Sequence, residues 1–128
     1  MKKIIFLLLL ILFSAKGYSQ TASIQVESEE RVIVPVFPGG VEGLASFLST
    51  NIVYPQDAIK NKISGTVLIQ FILSTTGKVE DVTVLKSLYP SCDAEAVRVV
   101  RLMPDWTPGE YKGKKMKVIQ KIPISFKQ

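Results

Sequence analysis

The chain has 128 residues, with 16 basic and 11 acidic side chains, a single cysteine and no histidine. One cysteine can form neither an intramolecular disulfide nor a structural zinc site, and the most common general base and metal ligand is missing. This composition argues against an enzyme, and we expect no catalytic residues, no metal and no cofactor.

The first nineteen residues have the layout of a secretory signal peptide. Lys2 and Lys3 precede an apolar run over residues 4–13, and small residues follow at Gly17 and Ser19. A spanning helix needs about 17–25 apolar residues, so this run is too short for a retained anchor. We predict a cleaved signal over residues 1–19. Cleavage removes three of the 16 basic residues and none of the 11 acids, which lowers the net charge from +5 to +2.

Residues 20–36 are predicted to form a polar leader and an extended arm. Pro35 has no N–H group, so the β-rich stretch before Phe37 can only be an edge strand or an arm. The Pro-Gly-Gly sequence at residues 38–40 predicts a turn. A first helix follows, with an apolar stripe formed by Val41, Leu44 and Leu48.

A second short helix is predicted to begin at Pro55. The alternation of apolar residues then predicts a hairpin, with strands at residues 65–73 and 79–86 around a glycine-containing turn. A longer helix over residues 91–103 places Cys92 on the stripe that faces the sheet, where an unpaired cysteine acts as a small hydrophobe. After it, Pro108 and Gly109 predict a type II turn.

A last strand is predicted over residues 115–127, with Met116, Val118, Ile122, Ile124 and Phe126 facing inward. The fold class is therefore α+β, a two-layer domain over residues 37–128 in which a three-stranded antiparallel sheet packs against two to three helices.

This last strand carries Pro123 and a row of outward lysines, which are devices that protect an unpaired sheet edge from aggregation. Such an edge is either an inert boundary or a template for an added peptide strand. Periodicity alone favours the inert boundary, because most edges bind nothing.

A series of motifs resembles the C-terminal domain of TonB energy-transducing proteins, in the form found in Bacteroidetes-type bacteria. The similarity covers about residues 35–127, and no single motif is specific by itself. The motifs are Phe37-Pro38-Gly39-Gly40, Tyr54-Pro55 with Ala58, Gly65-x-Val67 with Phe71, Gly77-x-Val79 with Val82 and Val84, Asp93-x-Glu95-Ala96, Trp106-x-Pro108-Gly109 and Ile122-Pro123-Ile124-x-Phe126.

The resemblance implies a periplasmic module that binds the TonB box of outer-membrane transporters by strand addition, in TonB-dependent transport. It implies a protein partner, with no nucleic acid and no small-molecule substrate. Asn51 lies three residues before Tyr54, at the position where the best-studied members of the family have a glutamine that contacts the box. The implied partner-binding residues are Asn51, Tyr54, Pro55, Lys115, Met116, Lys117, Val118, Ile119, Gln120, Lys121 and Ile122.

Two alternatives stay open at this point. Tyr54, Pro55 and Trp106 could equally be residues that determine the fold, since a large aromatic beside a Pro-Gly turn usually serves packing. The whole domain could instead be a secreted structural or regulatory protein, whose sheet edge forms a homodimer or binds another envelope protein.

The leader differs from that of a standard TonB, which has a retained membrane helix and a long proline-rich spacer. About fifteen polar residues span at most roughly 50 Å. We therefore expect a stand-alone periplasmic domain, with an inner-membrane anchor as the alternative.

Overall fold

The structure is a computed structural model that describes residues 31–128. The predicted signal peptide and most of the leader lie outside the described residues. The helices are α1 (Gly40–Asn51), α2 (Gln56–Lys60) and α3 (Pro90–Arg101). The strands are β1 (Val32–Ile33), β2 (Gly65–Leu73), β3 (Val79–Lys86), β4 (Gly109–Tyr111), β5 (Lys114–Met116) and β6 (Val118–Phe126).

The main sheet is antiparallel and has the strand order β3-β2-β6. The bounds of β2 and β3 are those that the alternation predicted. One face of β2 is fully buried and carries Val67, Ile69, Phe71 and Leu73. Together with the helices, this sheet confirms the α+β class.

A β-bulge in β3 interrupts the alternation of its side chains. Asp81 has a left-handed φ of 51°, and the pairing of β2 with β3 shifts between Gln70 and Ile72. The extra residue changes which positions face the core. As a result Val79 packs on the same side as Val82 and Val84, although strict alternation would separate them.

The α3 helix covers the buried face of the sheet. It begins at Pro90, and the Asp93 carboxylate accepts a hydrogen bond of 2.9 Å from the main-chain N–H of Leu88, just before the helix. Its inward stripe is buried, as predicted, and includes Cys92. Burial raises the pKa of the Cys92 thiol, and nearby Asp93 and Asp57 raise it further.

The α1 helix follows its predicted stripe only in part. Leu44 and Leu48 pack against the core, but Val41 in the first turn is exposed. Among residues 31–128, the helices all fall short of the length and apolar character needed to span a membrane.

An aromatic cluster centred on Trp106 joins the arm, the first helix and the sheet. The Trp106 ring lies 5.4 Å from that of Phe37 and 5.8 Å from that of Phe71, and Phe37 in turn contacts Phe47 at 5.5 Å. These edge-on and tilted contacts are the favoured geometries for aromatic pairs. Trp106 is therefore a packing residue.

The main chain of Trp106 also contacts the β2–β3 turn. Its N–H donates a hydrogen bond of 2.8 Å to the carbonyl of Gly77. Gly77 has a φ of 87°, and a Cβ atom there would overlap the Trp106 carbonyl oxygen. Only glycine combines a left-handed φ with the absence of a Cβ atom. Gly77 therefore allows the β2–β3 turn to pack closely on Trp106 of the aromatic cluster.

A second antiparallel sheet, with the order β1-β4-β5, was not predicted. The last strand is divided at Lys117, and its first part, β5, forms a hairpin with β4. Met116 is therefore exposed and does not face the core as predicted. The turn residues Lys112 and Gly113 both have left-handed φ angles, of 53° and 80°, which fits a two-residue hairpin turn.

The predicted type II turn after Trp106 is wrong. Gly109 lies in β4 and lacks the left-handed φ that such a turn requires. Its need for a glycine is steric, because a Cβ atom there would lie 2.9 Å from Val118 Cγ2 and 3.2 Å from the Ile33 carbonyl oxygen.

A polar clamp joins the end of α1 to α3. The Glu95 carboxylate accepts hydrogen bonds of 2.7 Å from the Val53 N–H and of 2.6 and 2.8 Å from Arg98. Arg98 also donates a hydrogen bond of 2.8 Å to the Asn51 carbonyl. The hydrogen bonds from Arg98 are the main reason that the pKa of Glu95 is lowered; the Val53 N–H lowers it too, while burial opposes both.

Replacing Gly77 with alanine should cost about 3 kcal/mol or more, because both the φ angle and the Trp106 carbonyl oppose a Cβ atom. The matched control is Gly113→Ala, at a φ of 80° with no atom within 4 Å of the new Cβ. That control should cost only about 1 kcal/mol for the left-handed conformation. Urea unfolding measures both, and equal costs would contradict the contact with Trp106.

Replacing Glu95 with glutamine should lower the free energy of unfolding by about 1 kcal/mol at neutral pH, since the charged partner of Arg98 is lost. The folded-state pKa of Glu95 lies below its unfolded value, so its contribution is complete above the unfolded pKa. It disappears as pH falls through the folded pKa, and the two proteins should converge in acid. Glu80→Gln, at an exposed position of β3, is the control; a difference that persists in acid would contradict the clamp.

Candidate partner-binding edge

The strand β6 is the last strand of the main sheet, and its whole length pairs with β2, from Gly65 opposite Phe126 to Leu73 opposite Val118. Its other edge carries no strand from the part of the chain that the structure describes. The predicted unpaired edge is therefore present at β6.

The direction of the main-chain groups along β6 follows from β2. The Ser74 N–H, directly after β2, bonds to the Lys78 carbonyl at the start of β3. Because these groups alternate along a strand, the even-numbered residues of β2 face β3 and the odd-numbered residues face β6. The pairing of Leu73 with Val118 then turns the even-numbered residues of β6 toward β2.

The N–H and C=O groups of the odd-numbered residues of β6 consequently point outward. Pro123 supports this assignment, because a residue without an N–H group is tolerated where the ladder needs no donor. The outward positions are Ile119, Lys121, Pro123 and Ser125. Pro123 and Ser125 extend the edge beyond the predicted end at Ile122, and the position of Pro123 in the sequence was the signal for this.

The side chains along this edge fall on two different faces. Ile119 and Lys121 are exposed on the open face of the sheet, and the Ile119 side chain is 63% exposed. On the helix side, Ile122 is buried while Val118 and Gln120 are half-buried. A strand placed beside β6 would meet an apolar residue and a cation on the open face.

The first part of the predicted edge differs from the prediction. Lys115 and Met116 belong to β5, where they pair with Glu110 and Gly109 of β4. Lys117 lies between the two strands. The predicted continuous edge over residues 115–122 is therefore two strands in two sheets, and only residues 118–122 lie on β6.

Asn51 and Tyr54 form contacts with other parts of the domain. The Asn51 side-chain amide donates a hydrogen bond of 2.8 Å to the Phe47 carbonyl. The main-chain carbonyl of Asn51 accepts a hydrogen bond from Arg98 of α3. The Tyr54 ring packs 5.7 Å from that of Phe126, at the far end of β6, and its hydroxyl donates to the Ile63 carbonyl.

These contacts favour a structural role for both residues. Pro55 is the N-terminal cap residue of α2 and is half-buried, which fits the beginning of a helix. The role of Asn51 and Tyr54 in partner binding remains a prediction.

The described part of the arm, which begins at Arg31, does not pair with β6. Val32 and Ile33 pair with Tyr111 and Glu110 of β4, and Val36 forms a bridge with Thr107. The arm is thus an edge strand of the smaller sheet, as the presence of Pro35 allowed.

Comparisons with known proteins agree with this architecture. A family model described as "Gram-negative bacterial TonB protein C-terminal" matches residues 50–128. Comparison with the curated proteins gives no match. Two solution NMR structures of the Helicobacter pylori TonB C-terminal domain, of different lengths, are similar in fold.

The shorter of these is 24% identical with a TM-score of 0.50, and the alignment covers 67% of this chain and 90% of that one. The longer is 22% identical with a TM-score of 0.52, and the alignment covers 86% and 97%. The family match includes β6 and every other strand of the main sheet. This chain belongs to the family of TonB C-terminal domains of Gram-negative bacteria.

Proposed function

We propose that this domain binds the TonB box of an outer-membrane transporter as an added strand along β6, as a non-enzymatic module of TonB-dependent transport. The observation that carries the proposal is the outer edge of β6, where the main-chain groups of Ile119 and Lys121 point away from β2. Strand addition uses such an edge because main-chain hydrogen bonds supply affinity for any extended peptide.

Side chains beside the edge supply the selectivity. Ile119 and Lys121 lie on the open face next to the position of the added strand. A peptide with an apolar residue beside Ile119 and an acidic residue beside Lys121 would be preferred, because cross-strand pairs of these kinds stabilise a sheet.

We further propose that the domain over residues 37–128 works in the periplasm after removal of residues 1–19. The length of the apolar run at residues 4–13 supports this, since it is shorter than a membrane span. Intact-mass measurement of the exported protein tests the proposal, and a protein that retains Met1 would be an anchored one.

The proposed binding mode predicts different effects for two substitutions of the same residue. Ile119→Pro removes an outward N–H, so it should weaken binding of a TonB-box peptide about tenfold or more while leaving the ladder to β2 intact. Ile119→Ala keeps the N–H and should weaken binding only a fewfold. Isothermal titration measures both affinities, and thermal unfolding checks that both variants fold.

A third variant tests the assignment of main-chain directions. The Val118 N–H points toward β2, so Val118→Pro should destabilise the domain itself, by about 1–3 kcal/mol. In the unmodified protein, peptide-induced shifts of backbone amides should centre on residues 118–125. Equal affinities of the two Ile119 variants, or shifts confined to other strands, would contradict strand addition at β6.

The same free edge would also allow two copies to pair through β6. Sedimentation velocity distinguishes this alternative. If the domain forms a dimer that Ile119→Pro dissociates, and binds no peptide, then the partner at β6 is a second copy and not a transporter.

A further inference from the structure

The smaller sheet has one exposed apolar face. Val32 pairs with Tyr111, which pairs with Lys114, so these three side chains lie on the same face. The alternation of the arm adds Val34 to that face.

The same alternation and pairing complete the set. Val36 lies two residues beyond Val34, and Met116 lies two residues beyond Lys114 on β5. We call this set the valine face, and its apolar members are Val32, Val34, Val36, Tyr111 and Met116.

All five apolar members are at least two-fifths exposed, with Val34 the most at 66%. On the other side of the arm, Ile33 is 38% exposed, Pro35 is half-buried and Phe37 lies in the aromatic cluster at 5% exposure. An alternating strand normally turns its apolar set toward the core. Here the arm turns a row of three valines toward the solvent, and soluble domains seldom expose contiguous apolar patches without a partner.

The charges on this face all have the same sign. The Lys112 ammonium lies 5.3 Å from the centre of the Tyr111 ring, and Lys114 is the cross-strand neighbour of that tyrosine. Glu110 is the acidic residue of this sheet, and its side chain lies on the opposite face, between those of Ile33 and Lys115. Neither ion pair formed among residues 31–128 involves a lysine of the hairpin.

This pattern selects among possible partners. A second copy that packed through the same face would bring together two surfaces that carry charges of the same sign, which is unfavourable. A lipid surface instead offers an apolar layer beneath a layer of phosphates. Valines and methionine can enter the first, tyrosine prefers the boundary, and lysines bind the second.

We propose that the valine face docks on the surface of a bilayer that contains anionic phospholipid. The hairpin tip places Lys112 and Lys114 at the phosphates, while Val32, Val34 and Tyr111 enter the boundary between head groups and acyl chains. This proposal does not rest on peptide binding at β6, which belongs to the other sheet.

The test uses the chain from Gln20 onward, which lacks the apolar run of the predicted signal and retains every residue that the structure describes. Its sedimentation with phosphatidylcholine vesicles is compared with and without phosphatidylglycerol. Binding should require phosphatidylglycerol and should weaken between about 0.1 M and 1 M salt, as the screening length falls. Equal binding to both kinds of vesicle, or no binding to either, would overturn the proposal.

Two double variants with the same loss of charge locate the surface. Lys112→Gln with Lys114→Gln should weaken vesicle binding about 25-fold, because each lysine at an anionic surface is worth about fivefold. Lys115→Gln with Lys117→Gln changes Lys115 on the opposite face and Lys117 outside both strands, and should have a clearly smaller effect. Equal effects of the two double variants would show that the vesicle attracts the net charge of the whole domain, and would overturn docking through this face.

Two valine substitutions of matched exposure test the apolar contact. Val34→Ser should weaken vesicle binding about tenfold, because the side chain no longer gains from leaving water. Val53→Ser, at a valine that is 63% exposed outside both sheets, should leave binding unchanged. Equal affinities of the two variants would overturn the proposal, as would a dimer in sedimentation velocity that only Val34→Ser dissociates.

Discussion

The position of β2 between its two neighbours is the constraint on which the rest of this domain depends. Its odd-numbered residues bond to β6 and bury their side chains, while its even-numbered residues bond to β3. This one alternation determines where the core lies. It also determines which main-chain N–H and C=O groups of β6 bond to β2 and which point outward. The exposed edge of β6 is therefore a consequence of how the core is built, and a peptide could use it without any rearrangement of the sheet.

The elements that sequence reasoning predicted well are those whose signal is local and periodic. The hairpin of β2 and β3 has strict alternation on its first strand and a glycine turn, and α3 has a clear stripe formed by Cys92, Ala96 and Val99. The bulge at Asp81 has no comparable signal, because aspartate is only one of several residues that tolerate a left-handed φ. The smaller sheet was missed for two reasons: the Lys112-Gly113 turn is weaker evidence for a hairpin than Asn-Gly, and the pairing of Val32 with Tyr111 joins distant parts of the chain.

The candidate site was predictable in outline from Pro123 and the lysines, which marked the last strand as an edge. The orientation of its N–H groups was not, since it depends on register with β2 and on the bond between Ser74 and Lys78. The division of the strand at Lys117 also escaped prediction, because Met116 and Val118 continue the same alternation on both sides of the break. Family resemblance could suggest Asn51 and Tyr54 as partner-binding residues, but their contacts with α3 and Phe126 are visible only in the structure.

The antiparallel pairing of β6 with β2 has a mechanical consequence. Nine residue pairs join the two strands, with their hydrogen bonds perpendicular to the strand axis. Tension applied along a peptide lying beside β6 would load these bonds in shear, so that they share the force and must break together. Tension applied across the sheet would peel them apart one at a time, at a much lower force. The direction of the applied force therefore decides how firmly β6 stays bonded to β2.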